Sequence, residues 1–78
     1  MSEVSIQASR FLLADNTAEC SAVAAHYLLM VPQYRDLGNK AGMRYSLKCA
    51  VEHVKAAVAS YKDLEALDAP PEVDGGAE

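Results

Sequence analysis

Between residues 43 and 64 the apolar side chains return at alternating steps of three and four: Met43, Leu47, Ala50 and Val51, Val54, Ala57 and Val58, Tyr61, Leu64. That spacing places them along one stripe of a helix of about six turns. A stripe so continuous requires another helix against it, from the same chain or from a second copy. No strand pattern stands out against the helical periods, so nothing in the chain is assigned as a strand. The expected fold class is all-α.

The flanking sequence sets the bounds of this helix. Asn39 is placed to cap a start at Lys40, and Gly38 to close the preceding helix in the left-handed conformation that a Cβ disfavours. Pro70-Pro71 ends any helix, because proline has no amide donor and its ring clashes with the preceding turn. The long helix is therefore expected from Lys40 to about Leu67. Residues 1–67 read as a single helical domain and 68–78 as a disordered acidic tail.

The first half of the chain admits two readings. Ser2 can cap a helix carrying Val4, Ala8, Phe11 and Leu12, but Asp15-Asn16-Thr17 then presents three residues that compete for backbone hydrogen bonds. Asn16 with Glu19 three places on has the form of a capping box, which favours a short N-terminal helix ending near Ala14. In the alternative, one helix runs from Glu3 to Met30. The heptad Val4, Phe11, Ala18, Ala25 with Ala8, Ala22 and Leu29 stays in phase through the polar patch, yet it sets Asp15 on the same seam. Pro32 is expected to stop or kink whatever helix reaches it. The short join implies an antiparallel helical hairpin. The segment Tyr34 to Gly42, followed by Ser46-Leu47, resembles the junction between successive units of some tetratricopeptide repeats. No second copy occurs, so the likeness is one of turn chemistry.

Size then bears on assembly. About 65 residues supply only about 3–5 kcal/mol from one core. Cys20 and Cys49 sit inside apolar helical patterns and read as buried thiols. Residues 18–31 are apolar on nearly every side, which asks for burial all round. A homodimer forming a four-helix-like bundle satisfies both conditions. The residues packing the core and the dimer are expected to be Phe11, Ala22, Ala25 and Leu29 from the first half, with Leu47, Val51, Val54, Val58 and Tyr61 from the second.

Charge is uneven. Residues 1–61 carry a net of +1, whereas Lys62 against Asp63, Glu65, Asp68, Glu72, Asp74 and Glu78 leaves −5 at the C-terminal end. Arg44, Lys48, Lys55 and Lys62 share one edge of the long helix, with Asp15 and Glu19 expected opposite them. That edge could follow a phosphate backbone, but a near-neutral body gives nucleic acid little long-range attraction. Cys49 and His53 stand four apart and His26 falls level with them, a partial zinc set that lacks a fourth ligand. No metal or cofactor is expected. Neither a phosphate loop nor a nucleophile beside a base is present, so no catalytic residues are assigned. The start lacks the layout of a secretory signal, and Ala22 to Val31 is too short to cross a bilayer. A cytoplasmic protein is expected.

What remains is recognition. Tyr34 and Arg35 fall at the turn, exposed by geometry, while Tyr27 and Tyr45 add the aromatic area favoured at binding hot spots. The expected function is that of a non-enzymatic interaction module: a regulator, adaptor or inhibitor on the surface of a larger protein. In size and style it is similar to the small inhibitors that phages and mobile elements encode. The alternative is a nucleic-acid-associated regulator using the basic edge.

Overall fold

The structure, a computed structural model, describes residues 3–68; the cap expected at Ser2 and residues 69–78 of the tail expected over 68–78 lie outside them, whereas Asp68 is helical. Two helices account for nearly all of it, α1 (Glu3–Asp36) and α2 (Lys40–Asp68), packed against each other as a hairpin. At 1.5 Å per residue they are about 51 and 43 Å long. The turn is closed as its residues require. Gly38 takes φ = +67°. Asn39 N donates to Tyr34 O at 2.9 Å and Gly38 N to Arg35 O at 2.9 Å, the paired bonds of a Schellman closure. Asn39 Oδ1 accepts from Gly42 N at 2.8 Å and so caps α2.

The break expected at residues 15–17 does not occur, so no separate N-terminal helix forms. Thr17 stays helical because its hydroxyl donates to the Leu13 carbonyl (2.8 Å), and Ser21 repeats the pattern onto Thr17 (2.8 Å). Asn16 turns its amide across the hairpin instead, donating to Ser60 Oγ. Pro32 does not stop the helix either. It costs about 3 kcal/mol in a helix interior, but here one turn follows it, held by the Schellman closure and by Tyr34. The Tyr34 ring fills the space that a Cβ on Gly42 would occupy, so the two backbones come close beside the turn.

The seam between the helices pairs large with small. From α1 come Ile6, Leu13, Cys20, Tyr27 and Tyr34, all half-buried and all seven residues apart, the repeat of a coiled pair. From α2 come Ser46, Ala50, Ala57 and Ser60, all buried, with Gly42, Cys49 and His53 half-buried beside them. Arg10 Nε donates to Asp68 Oδ1 at 2.8 Å and clasps the open end. Among the described residues the buried apolar side chains are Ala24, Ala50 and Ala57. Three alanines make a slender core.

Candidate interaction surfaces

Because α2 turns its small residues toward α1, its large ones are left outside. Leu47, Val51, Val54, Val58 and Tyr61 remain between 46% and 51% exposed. Beside them α1 contributes Ala25 and Leu28, and a groove of about 390 Å³ runs between the two helices, floored by Ala24 and Ala57 and walled by Leu28, Val58 and Tyr61. Nearer the turn the same row of α2 borders a second groove of about 550 Å³, where Met43, Leu47 and Val51 meet Lys40, Arg44, Lys48 and Glu52. Both grooves are open and apolar, a shape that suits another helix better than a small molecule.

The outer side of α1 is apolar as well. Phe11 is 70% exposed, and Val4, Leu12 and Leu29 stand out with it. The in-phase heptad of Val4, Phe11, Ala18 and Ala25 therefore faces solvent, which leaves Asp15 exposed and removes the conflict that its presence on a buried seam posed. All nine expected packing residues (Phe11, Ala22, Ala25, Leu29, Leu47, Val51, Val54, Val58 and Tyr61) are exposed in the hairpin.

On the other edge lies an aromatic group. The Tyr27 ring sits 6.2 Å from Tyr45, nearly perpendicular, and 5.6 Å from His53; His26 meets Tyr27 edge-on at 5.9 Å. His53 Nδ1 lies 2.8 Å from the Cys49 carbonyl, which fixes that ring one turn along its own helix. The Cys49 thiol beside Tyr45 holds the phenol above its ordinary pKa of 10.0, with Tyr27 adding to the effect. Among the described residues, no three His, Cys, Asp or Glu side chains gather as a metal cluster.

The four residues expected to bind a partner divide evenly. Tyr45 and Arg35 are exposed, Arg35 turning onto Asp36 through contacts of 3.1 Å. Tyr34, expected to be exposed, is half-buried over Gly42, and Tyr27 is half-buried in the seam. The pairing expected between the basic edge and Asp15 or Glu19 is not formed: among the described residues, Arg44, Lys48, Lys55 and Lys62 make no ion pair. Ala50 and Ala57 of the expected stripe do enter the seam, together with Ser46 and Ser60, while its larger members Leu47, Val51, Val54, Val58 and Tyr61 are turned outward with the basic edge. Two features escaped sequence reasoning. One is the strict seven-residue row on α1, whose signal was visible but masked by the apolar residues around it. The other is the full burial of Ser46 with its hydroxyl unpartnered, since the sequence marks Ser46 only through the turn likeness.

No helix among the described residues is long and apolar enough to cross a membrane. No family model, curated protein or solved structure matches the chain.

Proposed function

We propose that the chain is a non-enzymatic helical interaction module, a regulator, adaptor or inhibitor in the cytoplasm. In this reading it pairs with a second copy into a four-helix-like bundle and occupies the surface of a larger protein. The observation that supports this is the inversion of the usual order: among the described residues, three alanines are the buried apolar side chains while twelve large apolar side chains stand exposed. At about 25 cal/mol per Å² of apolar surface covered, such an exterior favours association. The test is affinity capture with the wild-type chain and with Tyr45→Ala, Arg35→Ala and Phe11→Lys variants, followed by mass spectrometry. The module should retain a defined protein that one or more variants lose while their helicity is unchanged. Identical retention by all four chains would refute the assignment of these surfaces.

A second reading rests on the basic edge. Arg44, Lys48, Lys55 and Lys62 lie on the outer side of α2, unpaired among the described residues and spaced to meet phosphates. It requires a salt-sensitive mobility shift with DNA or RNA that disappears when Arg44, Lys48 and Lys55 are changed to glutamate. No shift at low salt removes it.

A further inference from the structure

The exposed row of α2 has an internal symmetry that names its occupant. Its centre falls between Val51 and Val54. Turning a second hairpin about a two-fold axis through that point, lengthwise reversed, sets Val51 against Val54, Leu47 against Val58 and Lys40 against Glu65. All six lie within about 60° of one another around the helix at 100° per residue, so the whole row can face one partner. We infer that this face takes a second copy of the chain, antiparallel to the first, with Lys40 of each copy against Glu65 of the other. The inference deepens the proposed function and rests on its premise that the exterior is covered by protein.

Three observations select this occupant and this direction. Charge is the first: Lys40 stands at the turn end of the row and Glu65 at the open end, both exposed, and neither forms an ion pair among the described residues. Reversal brings opposite charges together at both ends, whereas a parallel second copy would set Lys40 on Lys40 and Glu65 on Glu65. Relief is the second. Gly42 lies against Tyr34 and Asn16 against Ser60, which puts Ala25 of α1 near the level of the axis. The bare groove floor there leaves room for the second copy's valines. Area is the third. A face about 43 Å long and two helices (about 20 Å) wide presents on the order of 850 Å² per copy, so about 1,700 Å² in all, the size of a standard stable interface. Isologous pairing of this kind is the commonest form of self-association.

The test uses the full chain and sedimentation equilibrium over a wide concentration range, with circular dichroism to verify helicity. Lys40→Glu and Glu65→Lys should each weaken dimerisation about tenfold, since each places two like-charged contacts in the assembly. The double variant should recover wild-type affinity, and Val54→Lys should be a helical monomer. A dimer indifferent to the charge changes, or a Val54→Lys dimer, overturns the arrangement while leaving self-association in place. A wild-type chain that is monomeric throughout also overturns the inference. In that case binding of anilinonaphthalene sulfonate would show an apolar face open to a different protein, and no binding would sink the interaction module as well.

Discussion

Ser46 and Ser60 offer the same chemical change in two opposite settings. The Ser46 hydroxyl is fully buried and finds no hydrogen-bond partner, so folding strips its water and returns nothing. That desolvation costs about 1–3 kcal/mol, and Ser46→Ala removes it. Alanine also gains about 0.5 kcal/mol in helix propensity, while the space left by one oxygen takes back a part. The expected net is a stabilisation of about 1–2 kcal/mol, or a rise in Tm of roughly 4–8 °C per kcal/mol in a domain of this size. Ser60 is equally small and nearly as buried, but its Oγ accepts the Asn16 amide across the seam. Ser60→Ala gains the same propensity and loses a hydrogen bond of about 0.5–1.5 kcal/mol, leaving it near neutral or destabilised by up to about 1 kcal/mol. Thermal melts followed by circular dichroism at one fixed protein concentration measure both, the concentration being held because association shifts Tm. Ser46→Ala should melt above Ser60→Ala by a margin equivalent to about 1–3 kcal/mol. Equal shifts, or a destabilised Ser46→Ala, would refute the account of the seam.

Other consequences are local. Gly42→Ala should lower stability by about 1–3 kcal/mol although alanine is the better helix former, because the new methyl displaces the Tyr34 ring; near-ultraviolet dichroism should change with it. Asp68→Asn removes the charge partner of Arg10 at the open end, a half-exposed pair. It should cost at most about 1 kcal/mol, decline in high salt, and show as faster amide exchange in the first turns of α1. At alkaline pH the Tyr45 phenol should ionise later than an ordinary tyrosine, because the Cys49 thiol beside it disfavours the phenolate. A folded pKa raised above the unfolded one means the contribution is complete below about pH 10 and is lost as pH rises through the raised value. Absorbance titration near 295 nm should show a late component that Tyr45→Phe deletes and Cys49→Ala shifts back toward the ordinary range; a titration unchanged by both variants contradicts the coupling.

Much of the hairpin is written in local chemistry. Gly38 and Asn39 announce the turn because a positive φ and a side-chain cap need particular residue types wherever they occur. The helical periods follow from side-chain spacing alone, so two helices and their antiparallel join are legible in the sequence. The polar patch at residues 15–17 misled because its local preference is real: Asn16 and Thr17 do compete for hydrogen bonds. Thr17 met that need within its own helix, and Asn16 met it on Ser60, forty-four residues away. Pro32 was judged by its own cost and tolerated because of contacts made by the turn beyond it.

The choice of face was the decision left to tertiary structure. Hydrophobicity by itself directs the aliphatic row of α2 inward, and the sequence carries that row unmistakably. A turn of three residues closed by Gly38 sets how α2 enters, and Gly42 lets it approach Tyr34 closely. The seven-residue row on α1, large at every position but Cys20, then lies against the small Ser46, Ala50, Ala57 and Ser60. Close packing of large on small won the single seam this chain can form, and Leu47, Val51, Val54 and Val58 were turned outward as a consequence of geometry rather than of their own chemistry.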